Sequence, residues 1–472
     1  MAIDTRAASA RRRADGPQQT RVEQCVRWTQ QRIAQRLLLP GARMPSLRAF
    51  ARERGVSKFT AVEAYARLVS LGCLQARRGS GFYVLAPRGR PTAARAVAAG
   101  DARIDVLWLL RHMLQGAAGA EGPGLGSVPA AWLDAGLIAT AARVVARRGS
   151  GLWLGSGAPK GYAPLRQQLQ ARLAGFDIAA DVEQIVLTTG ITHALTLLLG
   201  VLVRPGEAVL VGDPSWFAGF GAIAAHGARP IGFPYREDGP DLAALERLAR
   251  RHRPKLVVIQ SLAHNPTGTA LRRAAAERLR ALAEACDFTI LEDDAYADLY
   301  AEGDGTRLAA LGPLARVAYA GSFTKTLAEN LRVGFLACSP ALAQAVAARK
   351  VLTGFTTPEA NERLLGEVLA GGRYRRHVEA LRARVEAARA VALRDLARLG
   401  LDVFGEASAG LFAWVDLRRD SVAVAAAAAR QGLVCAPGAL FSPLQAPSTH
   451  MRINLTRWTP AVARFLAAAL RR

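Results

Sequence analysis

Between residues 155 and 340 the chain repeatedly switches period. Short apolar runs at 184–187, 208–211, 256–259, 288–291, 317–320 and 333–337 alternate with stretches of helical spacing, such as 272–286. Runs of four or five residues suit strands better than helices, which need ten or more. Strands and helices in alternation predict an α/β domain around a largely parallel sheet.

Ligand-binding residues of an open parallel sheet gather just past the carboxyl ends of its strands. Trp216 follows the run at 208–211, in Asp213-Pro-Ser-Trp. Asn265 follows 256–259, in Asn265-Pro-Thr-Gly. Asp293 and Tyr296 follow 288–291, in Glu292-Asp-Asp-Ala-Tyr, and Ser322 and Lys325 follow 317–320, in Gly321-Ser-Phe-Thr-Lys. A pyridoxal phosphate site needs an amine for a Schiff base and a carboxylate for the pyridine nitrogen. It also needs donors for the phenolic oxygen, an aromatic face and a phosphate cup. Each residue has a plainer reading. Asn-Pro-Thr-Gly is a good turn, Asp293-Asp294 fits a helix cap, Trp216 fits core packing and Lys325 fits a solvated surface. The joint order is harder to dismiss. Of five lysines, only Lys325 stands at such a strand end, beside a serine and ahead of Arg332.

The first fifth of the chain differs in charge. Residues 1–90 hold 18 Lys and Arg against 5 Asp and Glu, so +13 of the net +24. Such a segment attracts polyanions, DNA first among them. Residues 1–19, with Arg11-Arg12-Arg13, read as a disordered basic arm. Residues 20–86 read as a compact module. A helix starts at Val22, with Val22, Val26, Ile33 and Leu37 near one face, and Pro40-Gly41 stops it. A second helix is capped by Ser46, turns Leu47 and Phe50 inward and breaks at Gly55. A third is capped by Ser57, with Val62, Tyr65, Leu68 and Val69 as its inward face, and ends at Gly72. Two short strands, 74–76 and 82–84, flank Arg78-Gly79-Ser80-Gly81. Two helices across a tight glycine turn, then a hairpin, make a winged helix-turn-helix whose second helix enters the major groove by its N-terminal end. Lys58 and Thr60 are placed there for phosphate or base contact, Arg48 lies near the backbone, and Arg77 and Arg78 lead into the wing. The plainer alternative is a basic helical module that binds a protein.

Residues 87–125, rich in Ala, Gly, Pro and Arg, read as a linker, with an apolar island at 104–114 that suits a docking helix. Residues 126–472 form the α/β domain, with a smaller α/β subdomain from about 374. That subdomain holds a long Ala/Arg helix and strands near 411–415 and 451–455. Five scattered cysteines without CxxC spacing argue against a disulfide framework or a zinc site. No apolar run reaches the roughly 18 residues of a membrane span, and no h-region marks a signal peptide. A cytoplasmic protein, on the nucleoid when bound to DNA, is expected.

Two known families share these motifs. Met44-Pro-Ser-Leu-Arg-Ala-Phe-Ala-Arg-Glu-Arg-Gly-Val-Ser-Lys-Phe-Thr-Ala-Val-Glu-Ala-Tyr-Ala-Arg-Leu, with Gly72 and Arg78-Gly-Ser-Gly-Phe, resembles the GntR-type DNA-binding domain. The strand-end set, with Gly161-Tyr-Ala-Pro-Leu-Arg166 and Thr188-Thr-Gly-Ile-Thr-His-Ala-Leu195, resembles fold-type I aminotransferases. The whole chain resembles the MocR/GabR-type (PdxR-like) branch of the GntR regulators. By that resemblance Arg48, Ser57, Lys58, Thr60 and the wing glycine Gly79 touch DNA. Lys325 forms the Schiff base with pyridoxal 5'-phosphate, Asp293 holds the pyridine nitrogen, Asn265 and Tyr296 bond the phenolic oxygen, and Trp216 stacks on the ring. Ser322, Arg332 and the helix start at Gly190, Ile191 and Thr192 hold the phosphate, a task that suits a helix N-terminus. Arg452, in Met-Arg-Ile-Asn, takes an effector carboxylate. This chain departs from the pattern in three places. Val62 stands where several GntR members carry arginine, and Ile191-Thr192 where many relatives carry Ser-Gln. No proline follows Lys325 closely, and Glu329 puts a negative charge near Arg332. The implied protein is a homodimeric, double-stranded-DNA-binding transcriptional regulator that senses pyridoxal phosphate or an amino compound. The alternatives are an active aminotransferase carrying a DNA-binding module, and a DNA-binding scaffold with a dead cofactor site.

Overall fold

The computed structural model describes residues 20–34, 38, 41–77, 80–85, 121–148, 151–300, 305–405 and 410–471. The basic arm, the island at 104–114, Arg78 and Gly79 lie outside the described residues. The chain divides into two units after Ala102.

The first unit holds helices α1 (Arg21–Ala34), α2 (Leu47–Arg54) and α3 (Lys58–Ser70) and an antiparallel hairpin, β1 (Leu74–Arg77) with β2 (Gly81–Val84). Serine side chains start two of the helices. Ser46 Oγ accepts from Ala49 N–H at 3.2 Å, and Ser57 Oγ from Thr60 N–H at 3.0 Å. Each satisfies a donor that the first helical turn leaves unpaired. Gly55 closes the turn between α2 and α3 at φ 61°, a left-handed conformation cheap only without a Cβ. The core is aromatic. Tyr65 meets Phe50 and Phe82 edge-on at 4.9 and 5.0 Å between ring centroids, and its hydroxyl donates to Pro45 O. Val62, expected inward, is 42% exposed. Ala61, Ala64, Tyr65 and Leu68 set the buried face, and at 3.6 residues per turn Val62 stands about 100° from Ala61.

The second unit is built on an eight-stranded sheet ordered β3-β10-β9-β8-β7-β4-β5-β6. The strands are β3 (Ile185–Thr188), β4 (Ala208–Asp213), β5 (Arg229–Arg236), β6 (Gly239–Pro240), β7 (Leu256–Ile259), β8 (Thr289–Asp294), β9 (Val317–Ser322) and β10 (Gly334–Ala337). β9, β8, β7, β4 and β5 run parallel, whereas β10 is antiparallel to both neighbours. Strand alternation feeds two cores: Leu210 packs into one, Val209 and Val211 into the other. A sheet covered on both faces explains why its strands read as unbroken apolar runs. β5 and β6 have no counterpart in the sequence pattern. Arg229-Pro-Ile-Gly-Phe-Pro-Tyr-Arg236 carries two prolines, tolerable because β5 has only the two-residue β6 on its outer side.

The subdomain holds the helix Arg373–Arg398 and a four-stranded antiparallel sheet, β11 (Asp402–Val403), β12 (Phe412–Asp416), β14 (His450–Asn454) and β13 (Ala436–Pro437) in that order. Its core joins Leu396, Val415, Ile453 and Phe465. The linker, expected to reach residue 125, ends earlier. Residues 121–125 pair with the subdomain: Val434 N–H donates to Glu121 O and Gly124 N–H to Val434 O, both at 2.8 Å. The glycines that resembled linker composition permit this approach, since a Cβ at Gly122 or Gly124 would collide with the backbone of Val434 or Cys435. Among the described residues, no helix is long and apolar enough to cross a membrane.

Candidate functional site

A cavity of about 260 Å³ opens past the carboxyl ends of the parallel strands. It is lined by Gly190, Ile191, Thr192, Trp216, Asn265 and Asp293, and from later elements by Tyr296, Ser322, Lys325, Arg332 and Arg452. The structure thus brings together every residue that the sequence proposed for the cofactor and the effector carboxylate.

Strand alternation selects one carboxylate among three. Asp293 faces the cavity, where Gln260 Nε2 and Ala295 N–H donate to it at 2.9 and 3.1 Å. Glu292 and Asp294 are held in other networks. Glu292 accepts from Ser261 Oγ and from the N–H groups of Leu308 and Ala309. Asp294 pairs with Arg307 at 2.7 Å and accepts from Tyr319 at 2.9 Å. Burial outweighs the hydrogen bonds on Asp293 and pushes its carboxyl up to about 7.

Lys325 lies three residues past β9. Burial lowers the basicity of its amine, and Arg452 and Arg332 add to this, while Glu329 and Asp293 oppose it. Its Nζ donates to Ser127 Oγ at 3.3 Å, and that hydroxyl donates to Glu329 Oε1. Glu329, expected to bear on Arg332, is therefore tied to the lysine through Ser127.

The anion end is built at a helix start. Gly190 precedes the helix Ile191–Leu202 at φ 115°, and no side chain caps that helix. Its leading N–H groups are left available to a negative ligand. Arg332, in left-handed backbone, reaches across to Thr189 O at 2.5 Å, and a Cβ on Gly190 would lie 2.9 Å from its Nη2. Ser322 and Thr324 share a 2.8 Å hydroxyl contact.

At the opposite end Arg452, 2% exposed, is packed over Phe412 and Phe441. It donates to Asn265 Oδ1 at 3.1 Å and to Gly124 O at 2.5 Å, while its buried Nε has no partner. Burial depresses even this guanidinium, to about 10.

Sequence reasoning missed several participants. Gln260 donates to Asp293 and accepts from Asn265 N–H at 2.9 Å, so it fixes two site residues at once. It stands one residue past β7, so the strand-end rule applied to amides would have found it. Thr324 stands between Ser322 and Lys325. The segment 121–128 carried no signal beyond glycine content. Its backbone is held by Asn454 Nδ2 at Leu125 O and Ser127 O, and by Arg457 at Ser127 O and Val128 O.

In the first unit Arg48, Ser57 and Lys58 are exposed and Thr60 is half-buried. The Ser57 hydroxyl is engaged in capping α3 and contacts Thr60 Oγ1 at 2.9 Å. Arg77 pairs through its backbone with Gly81. Its side chain lies outside the described residues.

Residues 133–470 match the family model for aminotransferase class I and II, and residues 22–84 that for bacterial regulatory proteins, gntR family. The chain is 27% identical over 449 residues to the uncharacterized HTH-type transcriptional regulator YdcR of Escherichia coli, covering 92% of this chain and 95% of the relative. It is 34% identical over 285 residues to the 2-aminoadipate transaminase of Thermus thermophilus, covering 59% and 70%. The crystal structure of LysN, the alpha-aminoadipate aminotransferase of Thermus thermophilus, holds N-(5'-phosphopyridoxyl)-L-leucine. It aligns with a TM-score of 0.69 at 26% identity, over 77% of this chain and 94% of that one.

Proposed function

The chain belongs to the aminotransferase class I and II family with a gntR-family module ahead of it, and on that premise we propose that it is a ligand-sensing transcriptional regulator. It binds double-stranded DNA through residues 22–84 and senses pyridoxal phosphate, or an amino compound that reacts with it, in the cavity around Lys325. The observation that carries this reading is a cofactor-competent cavity in the same chain as a DNA-binding fold, which a metabolic transaminase does not need.

The residues fit pyridoxal phosphate. An uncapped helix start and Arg332 suit a phosphate, and a buried carboxylate suits a ring cation. When bound, the cofactor supplies an electrophilic carbonyl carbon and a ring that accepts electrons. Lys325 offers an amine whose depressed basicity favours the neutral, nucleophilic form. Asp293 keeps a proton on the ring nitrogen. Asn265 spends its Oδ1 on Arg452, which leaves its Nδ2 to donate to the phenolic oxygen beside Tyr296. Trp216 supplies the aromatic face. Ser127 accepts a hydrogen bond from the lysine and donates one to Glu329, so the pair holds the lysine in position.

An effector carboxylate is taken by Arg452, which lines the cavity and whose planar guanidinium suits it. That carboxylate competes for the guanidinium with Gly124 O, and whether Lys325 is engaged by the cofactor or free decides whether its amine donates to Ser127 Oγ. Both contacts hold the segment 121–128, through which the second unit continues in sequence toward the DNA-binding module. Effector binding thus changes how that chain is held, and differential affinity for its two arrangements provides control. The regulator acts in the cytoplasm as a homodimer, whose two-fold symmetry suits paired half-sites.

The test is chemical. Borohydride reduction of the protein loaded with pyridoxal phosphate, followed by peptide mass spectrometry, is expected to place a pyridoxyl adduct on Lys325. A screen of amino compounds is expected to find one that changes both the bound chromophore and DNA affinity. An active aminotransferase is the second reading, favoured by the intact set of Lys325, Asp293 and Arg452. Steady turnover of an amino acid with 2-oxoglutarate would establish it in place of the first.

A further inference from the structure

Helix α3 exposes two apolar side chains near the end by which a recognition helix enters the major groove. Phe59 is 76% exposed and Val62 42%, while the helix packs through Ala61, Ala64, Tyr65 and Leu68. Residues three apart are neighbours on a helix surface, so Phe59 and Val62 form one patch. Lys58, next to Phe59 in the chain, is exposed, as is Arg48 on α2, and both carry positive charge. An exposed phenylalanine forfeits the stabilisation that burial would return, and the first unit's own core makes no use of this one.

Neither side chain can donate or accept a hydrogen bond, so neither can read a guanine or adenine edge. The major groove presents one apolar group to a protein, the C5-methyl of thymine. The charge of the segment favours a duplex over an apolar protein partner: residues 1–90 carry +13. We propose that Phe59 and Val62 are specificity-determining residues that read pyrimidine C5-methyl groups, so that each half-site carries thymine where α3 enters the groove. The inference rests on the DNA-binding reading. Lys58 and Arg48 supply phosphate attraction, and the apolar pair supplies discrimination.

The experiment removes the methyl from one side and the side chain from the other. The full-length protein, with and without pyridoxal phosphate, selects duplexes from a random library. The enriched duplex is resynthesised with deoxyuridine for thymine, one position at a time, and titrated with wild type, Phe59→Ala and Val62→Ala. Burial of one methyl-sized group corresponds to about fourfold in affinity. Wild type is expected to lose about that factor at one or two positions per half-site, and each variant to become indifferent to deoxyuridine at its own position. Cytosine at the same position is expected to bind weakly and 5-methylcytosine to regain the methyl's share, which separates the methyl from the rest of the base. Both residues are exposed, so the variants should melt with wild type. Enrichment without sensitivity to deoxyuridine overturns the inference alone, as do variants that remain as sensitive as wild type. Failure to enrich any duplex overturns the DNA-binding reading as well.

Discussion

Asp293→Asn is expected to stabilise the cofactor-free protein at pH 8 while weakening its hold on pyridoxal phosphate. The Asp293 carboxyl is 3% exposed and lifted from an ordinary 3.8 to about 7 by burial. Below 3.8 the carboxyl is neutral whether the chain is folded or not, and burial costs nothing. As pH rises from about 4 to 7, the unfolded chain ionises freely and the folded one does not, so stability falls. Above 7 the folded protein carries the full penalty, roughly 4 kcal/mol at about 1.4 kcal/mol per tenfold change in proton affinity. Asparagine removes the charge but can accept only through one oxygen. One hydrogen bond, that from Gln260 or from Ala295, is therefore lost, at about 1 kcal/mol. The two effects cross. The variant should be about 1 kcal/mol less stable than wild type near pH 4 and roughly 3 kcal/mol more stable at pH 8. Glu292, also raised to about 7, gives both proteins a common slope. Denaturant titrations of cofactor-free protein from pH 4 to 8 measure the difference. With pyridoxal phosphate added the order should reverse at pH 8, because the ring cation then stabilises the ionised carboxylate of wild type only. A cofactor-free variant less stable than wild type at pH 8 would refute this account of Asp293.

Three further outcomes are expected. Gly190→Ala places a side chain in backbone that only glycine adopts freely, costing about 1–3 kcal/mol of stability. Its Cβ also crowds Arg332 Nη2, so spectroscopic titration should show cofactor affinity reduced on the order of tenfold; unchanged affinity would mean that Arg332 does not hold the phosphate. Arg307→Ala leaves Asp294 and Tyr319 buried without their cation and should cost about 3–5 kcal/mol by chemical denaturation. Ser57→Ala removes the cap of α3 and should lower the stability of the first unit by about 1 kcal/mol, visible in calorimetry.

The cavity was largely legible because most of its residues obey a local rule: they stand at or just past the carboxyl end of a strand that announces itself by apolarity, whereas Arg332 ahead of β10 and Arg452 within β14 rest on the resemblance. What escaped depends on information that is not local. Ser127 meets Glu329 across 202 residues of chain, and nothing near either residue marks the meeting. Residues 121–125 read as linker because glycine content looks the same in a free chain and in one pressed against another backbone. β5 was hidden by its prolines, whose tolerance depends on a position at the sheet margin. Apolarity alone points Val62 inward, whereas the phase of the helix, fixed by Ala61, Tyr65 and Leu68, turns it outward. It is this phase that joins Val62 to Phe59 in one exposed patch.

Three acidic residues in succession on β8 also make frame a functional matter. Deleting one residue upstream in that strand would bring Asp294 into the place of Asp293, so the cavity would still own a carboxylate. The loss would fall elsewhere: Ala295 would stand where Asp294 meets Arg307 and Tyr319, and the shorter Asp293 would replace Glu292 as acceptor for the N–H groups of Leu308 and Ala309. A drifting lineage could therefore keep its chemistry on paper while forfeiting the fold that presents it, which makes β8 a strand where length should vary less than residue type.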